Sequence, residues 1–162
     1  MQKIVTFLWF NDRVEEAVDT YVSLFENAKI THTTRLTEAE AKMAGKKAGD
    51  VSAIDFELNG QKFAALNGGP MYKLTEATSI QVHCKDQEEI DKFWNVLSKD
   101  SQVVSCGWVT DKFGLTWQII PDNLDEMLRD PDPVKANRVS EVMLSMEGKL
   151  DKGELEKAYR GE

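Results

Sequence analysis

The sequence predicts an α+β chain built from a duplicated strand–helix–strands unit, with helices appended at the C-terminus. Three observations carry this reading. An apolar strand followed by an acidic-start, apolar-faced helix occurs twice, as Glu15-Glu16-Ala17-Val18-Asp19-Thr20-Tyr21 and again as Glu88-Glu89-Ile90-Asp91-Lys92-Phe93. The hairpins that close each copy also correspond, Gly60-x-x-Phe63-x-x-Leu66 matching Gly114-x-x-Trp117-x-x-Ile120. Beyond residue 121 the pattern changes to helical spacing alone.

In the first copy, residues 4–10 form an apolar run bounded by Asn11-Asp12, which reads as a strand buried on both faces. Asp12 takes the N-cap position of a helix in which Val14, Ala17, Val18, Tyr21, Leu24 and Phe25 recur on one face. Glu15 and Glu16 occupy its first turn, where the helix dipole favours negative charge. Residues 29–36, KITHTTRL, are Thr-rich and alternate, as in an exposed strand. Residues 37–50 are polar and hold Gly45 and Gly49, so they read as a mobile loop with one helical turn. Strands at 51–58 and 61–66 meet at Asn59-Gly60, a pair suited to the positive φ angles of a type I′ hairpin turn. Asn67-Gly68-Gly69-Pro70 ends the copy.

After a linker at 71–77, the second copy opens with a strand at 78–84 and a helix capped by Asp86, with Ile90, Phe93, Trp94 and Leu97 on its apolar face. It closes on CGWVTDKFGLTWQIIP, residues 106–121. There, strands at 107–110 and 115–120 flank a tight turn, Asp111-Lys112-Phe113-Gly114, and Pro121 stops the second strand. Helices follow at 123–129, 134–146 and 151–159. Asp132-Pro133 supplies a cap and first-turn proline for the second of them, whose apolar stripe is Val139, Val142, Met143 and Met146. The expected organisation is a first half at 1–70, a second at 71–121 and a helical extension at 122–162, in one compact domain.

Composition narrows the function. With 162 residues, 41% hydrophobic and 30% charged, this is an ordinary globular chain of single-domain size. A net charge of −8 argues against a nucleic-acid or anionic-membrane partner, since both require a basic face. The apolar part of residues 1–12 is too short for a signal-peptide core or a membrane span. Two cysteines, Cys84 and Cys106, are too few for a disulfide framework or a four-thiolate zinc site, and they point to reduced thiols in the cytoplasm.

Gln118 is the chemical question in the chain. It is an amide between Trp117 and Ile119, and a buried amide must find partners. It is therefore either a satisfied core residue or part of a polar site at the bottom of a cavity. Ser79, Gln81 and His83 alternate along one strand, opposite Ile80, Val82 and Cys84. If that polar face lines a cavity, His83 serves as a base or hydrogen-bond donor; otherwise it is a strand-end residue in water. His32 reads as a surface histidine on the Thr-rich strand, and Cys106 as a small buried or half-buried thiol. Trp9, Trp108 and Trp117 either pack in the core or wall an apolar cavity, and Asn67 either caps a turn or reaches a ligand. Gly68-Gly69 precedes a proline and not a helix, so it does not form a phosphate cradle.

The blocks FLWFND…EEAVDTY, ALNGGP, CKDQEEIDKFW, CGWVTDKFGLTWQIIP and DPDPVKA, in this order, resemble the PhnB-like branch of the vicinal oxygen chelate superfamily. That superfamily also holds glyoxalase I and bleomycin-resistance proteins, and members of this branch are often labelled 3-demethylubiquinone-9 3-methyltransferase. The resemblance spans residues 3–146 and implies paired βαβββ modules with cupped, mixed sheets, usually in homodimers. It also implies ligand stations near Thr6, Ala64, Ile80 or Ser79, and Gln118. Of these only Gln118 is a usual metal ligand, whereas a catalytic divalent site needs about three N or O donors. No cofactor is therefore expected. Methyl transfer in a doubly wound S-adenosylmethionine fold is not supported either, since no glycine-rich turn follows the first strand.

The expected function is a dimeric binding protein for an unidentified small molecule. Its cavity is lined by Gln118, Thr6, Ser79, His83, Asn67 and Trp108, with no metal ligands and no catalytic residue assigned. The alternative is an enzyme, either a metal-dependent lyase- or dioxygenase-like relative or the methyltransferase of the label.

Overall fold

A computed structural model describes residues 3–162 and divides the chain into two compact units, Met1–Leu74 and Thr75–Glu162. The first contains β1 (Thr6–Phe10), α1 (Val14–Leu24), β2 (Ala28–Arg35), α2 (Glu38–Ala44), β3 (Val51–Leu58) and β4 (Gln61–Asn67). Its four strands lie in the order β1-β4-β3-β2, with β1 parallel to β4 and the other pairs antiparallel. The β3–β4 turn has Asn59 at φ 50° and Gly60 at φ 84°, as the Asn-Gly pair predicts. One face of the sheet packs on Val14, Ala17, Val18, Tyr21 and Leu24 of α1 through buried residues that include Leu8, Phe10, Ile54, Phe56 and Phe63. The rings of Phe56 and Phe63 stack at 5.3 Å across the β3–β4 pair.

Three expectations for this unit are corrected. The first strand is an edge strand beginning at Thr6, not a run buried on both faces. Among the described residues it pairs only with β4, α1 covers one face, and Phe7 on the other face is 62% exposed. The N-cap of α1 is Arg13 in a left-handed conformation, not Asp12, and it offers no side-chain cap. The Val14 N–H donates instead to Asn67 Oδ1 at 2.9 Å, from a residue distant in sequence. Residues 37–50 hold a seven-residue helix, not one turn. Thr37 accepts from the Glu40 N–H, Glu40 reaches back to the Thr37 N–H, and Gly45 closes the helix at φ 66°.

The second unit contains β5 (Ser79–Cys84), α3 (Gln87–Leu97), β6 (Gln102–Ser105), β7 (Trp108–Thr110), β8 (Thr116–Pro121), α4 (Leu124–Leu128), α5 (Pro133–Ser145) and α6 (Lys152–Arg160). Its sheet order is β5-β8-β7-β6, again with the first strand parallel to the last. The two units thus share one βαβββ topology, and the α+β duplication expected from the sequence is the architecture. The sequence reading passed over β6, which is only four residues long. Asp86 caps α3 as expected, accepting from the Glu89 N–H at 2.9 Å.

The C-terminal helices share a core with the second sheet. Ile120 of β8 clusters with Leu124, Met127, Val139, Leu150 and Leu155, and Val142, Met143 and Met146 pack against that cluster. Lys152 Nζ donates to Asp122 Oδ1 at 2.9 Å and to Asn123 Oδ1 at 2.7 Å. Arg138 donates to the last carbonyls of α6, Ala158 O at 2.7 Å and Tyr159 O at 2.9 Å. Among the described residues, no helix is long and apolar enough to cross a membrane.

Candidate functional site

Alternation along β5 sends Val82 and Cys84 into the core and turns Ser79, Gln81 and His83 to the opposite face. On β8, Trp117 and Ile119 are fully buried while Gln118 is half-buried. The parallel register sets Gln81 beside Gln118 and Ser79 beside Thr116, which brings these polar side chains together. His83 Nε2 lies 3.0 Å from Gln81 Oε1, and a carboxamide oxygen only accepts, so the imidazole donates from Nε2. Gln81 Nε2 then donates to Gln118 Oε1 at 3.2 Å, and Gln118 Nε2 donates to Ser79 Oγ at 2.7 Å. Every link in this ladder runs the same way. Gln118 is therefore bonded to its neighbours and belongs to a polar surface of the sheet.

That surface forms one side of a cavity of about 550 Å³. Gln81, Gln118, Trp108 and Ile120 come from the sheet; Leu124, Asp125 and Leu128 from α4; Met143 and Leu144 from α5. Glu76, Ser105 and Cys106 complete the lining. The volume lies within the range of ligand pockets in general, and the lining is mostly apolar with a few polar groups. Each carboxamide nitrogen in the ladder has one N–H engaged by its neighbour, so Gln81 and Gln118 each carry a second donor hydrogen.

The tryptophans separate by role. Trp108 lines the cavity, and Trp117 is wholly buried. Trp117 Nε1 donates to Asp111 Oδ2 at 2.9 Å, and Asp111 Oδ1 accepts from the N–H groups of Phe113 and Leu115. Trp9 packs over Gly68, donates to Gly69 O at 2.9 Å and meets Tyr72 edge-on at 4.9 Å.

Two expected cavity residues belong to the first unit. Thr6 is half-buried on β1, opposite Phe63 of β4. Asn67 is engaged by its own fold: besides accepting from Val14, its Nδ2 donates to Val51 O at 3.0 Å and to Glu15 Oε2 at 3.3 Å. His32 is exposed, as expected. The sequence reading missed the walls supplied by α4 and α5 and the acidic pair Glu76 and Asp125. The Val139, Val142, Met143, Met146 stripe announced a packed helix, but only the folded chain shows Met143 reaching the cavity.

The thiols differ in environment. Burial, with the Glu89 carboxylate nearby, pushes the Cys84 thiol up to about 12. Cys106 is half-buried at φ 51°, with its sulfur 3.2 Å from Ser105 Oγ. The Lys152 ammonium holds the Asp122 carboxyl below the ordinary carboxylate range. The donor set does not fit a catalytic divalent ion. Among the described residues no three His, Cys, Asp or Glu side chains gather at one point. Of the stations implied by the resemblance, Ala64 has no side-chain donor and Gln118 is bonded to Ser79 and Gln81.

The model of the family described as 3-demethylubiquinone-9 3-methyltransferase matches residues 2–120. Among solved structures, the PhnB protein of Bacillus cereus, whose name carries the same methyltransferase description, is 32% identical. That match covers 74% of this chain and 98% of the other, with a TM-score of 0.65. A Staphylococcus aureus protein is 31% identical, with 74% of this chain and 95% of its own covered, at a TM-score of 0.33. A Pseudomonas aeruginosa protein, 17% identical with 75% and 97% covered and a TM-score of 0.54, shares the fold alone. No curated protein matches. The family match stops within β8, so α4, α5 and α6 lie beyond it. With that reach and the shared βαβββ architecture, the chain belongs to the PhnB-like, glyoxalase-fold family described as 3-demethylubiquinone-9 3-methyltransferase.

Proposed function

We propose that this protein binds a small, largely apolar molecule on the open face of its second sheet, without a catalytic divalent ion. Gln118 is the polar anchor and Trp108 the flat apolar wall, while Ser79 and His83 act through the ladder by fixing the orientation of Gln118. The observation that carries the reading is the coincidence of the hydrogen-bonded carboxamides with a cavity of about 550 Å³. Within this reading the protein is a cytoplasmic homodimer. The exposure of Ile4, Phe7, Met71 and Tyr72, each 60% or more, supports a partner surface on the first unit.

The family description favours a second reading, methyl transfer, and thermal denaturation separates the two. A ligand that binds only the folded state raises the melting temperature, by mass action. Under the binding reading, neither S-adenosylmethionine nor Ni²⁺, Zn²⁺, Mn²⁺ or Fe²⁺ shifts the transition, whereas neutral aromatic compounds do. A shift with S-adenosylmethionine establishes the second reading. A metal shift abolished by Gln118→Ala defeats the metal-free one.

A further inference from the structure

The cavity has two walls. The sheet wall carries Gln118 and Trp108, and α4 and α5 make the other. We propose that α4 and α5 are the specificity element of this cavity, selecting an uncharged or positively charged ligand with a flat apolar body and excluding anions. This rests on the reading of the cavity as a ligand site.

Two features of the wall support it. Leu128, Met143 and Leu144 line the same cavity as Trp108 and add aliphatic and thioether surface suited to an apolar group. Leu144 is 67% exposed, so its side chain is not used up by internal packing. The charges are also one-sided. Glu76 and Asp125 line the cavity, and no lysine or arginine does so among the described residues. Asp125 pairs loosely with Arg129, at 3.5 Å, their side chains being 40% and 78% exposed. An anion entering would give up its hydration for a lining that holds two carboxylates and only neutral donors, on a chain of net charge −8.

Fluorescence titration of the full-length protein with three dyes tests this: Nile red (uncharged), rhodamine 6G (cationic) and anilinonaphthalene sulfonate (anionic). Nile red and rhodamine 6G are expected to bind saturably, with the sulfonate at least about tenfold weaker. Leu144→Ala, at an exposed position, should weaken Nile red about three- to tenfold. Asp125→Lys should bring the sulfonate level with Nile red and weaken rhodamine 6G, with Asp125→Asn in between. Melting curves confirm that each variant is folded.

If Trp108→Ala and Gln118→Ala weaken the dyes while every α4 and α5 variant leaves them unchanged, the cavity reading stands and the specificity role of the helices is overturned. Equal binding of all three dyes to the unaltered protein overturns the charge selection. Dye binding indifferent to Trp108 and Gln118 overturns the cavity reading itself.

Discussion

Asp111 and Trp117, at opposite ends of the β7–β8 turn, are joined by a 2.9 Å hydrogen bond from the indole Nε1 to a carboxylate that is only 5% exposed. The other carboxylate oxygen accepts from Phe113 N and Leu115 N, so one side chain pins both the turn and the largest ring of the core. Removing a buried acceptor strands its donors, at about 1–3 kcal/mol for each group left unpaired. Asp111→Ala is expected to lower stability by roughly 3–5 kcal/mol, read from the urea midpoint. Asp111→Asn, which keeps one accepting oxygen, should cost less. A cost below about 1 kcal/mol for the alanine variant would show that the pin is dispensable.

Asn67 performs a comparable task at the start of α1. Its oxygen serves the Val14 N–H, and its nitrogen serves Val51 O. Asn67→Ala should cost about 1–3 kcal/mol in thermal or urea unfolding. Asn67→Asp should not rescue it, because a carboxylate cannot donate to Val51 O and would face Glu15.

Gly68 is needed for close approach. A Cβ there would lie 2.2 Å from the Trp9 ring, far inside contact distance. Gly68→Ala is expected to displace the indole, breaking its bond to Gly69 O and its edge contact with Tyr72. The expected readout is a changed near-ultraviolet circular dichroism signal with a loss of about 1–3 kcal/mol. An unchanged signal would mean that the ring is not held where the structure places it.

The thiols offer a pH test. Cys84 is wholly buried and its pKa is raised to about 12 from 9.0, so the folded state keeps it protonated where an unfolded chain would ionise it. The stability from this burial is therefore complete below 9.0 and drains away as pH rises towards 12. The denaturant midpoint should fall across that window, and fall less in Cys84→Ala. Ellman's reagent near pH 8 should titrate the half-buried Cys106 readily and Cys84 only after denaturation. Fast reaction of both thiols in the native protein would refute the difference in burial.

Gln118→Leu separates binding from folding. Its partners Ser79 and Gln81 are half-buried and exposed, so water can replace the lost bonds and stability should change by about 1 kcal/mol or less. Binding of Nile red, in contrast, should weaken about tenfold. A large stability loss with unchanged dye binding would make Gln118 a purely structural residue.

The features legible in the sequence were those written locally. Asn59-Gly60 named its own turn, Asp86 its own cap, and the alternation of Ser79, Gln81 and His83 its own polar face. What escaped was written in pairs across long separations. Arg13 could not be recognised as a cap because the compensating acceptor sits at Asn67. The burial of Asp111 depends on Trp117 folding back over the turn, while turn chemistry alone places aspartate in water. Thr37 and Glu40 did carry a capping-box signature, and the glycines that follow masked it. The cavity wall was invisible for another reason: a methionine stripe looks the same whether all of it packs on the core or one residue faces a hollow.

The ladder from His83 to Ser79 has a head and a tail. A guest that required Gln118 to exchange the places of its oxygen and nitrogen would also have to turn Gln81 and change which imidazole nitrogen carries hydrogen. Such a wholesale reversal resists piecemeal adjustment. This wall of the hollow thereby has one fixed order of donors and acceptors, set in part by His83, an exposed residue outside the lining.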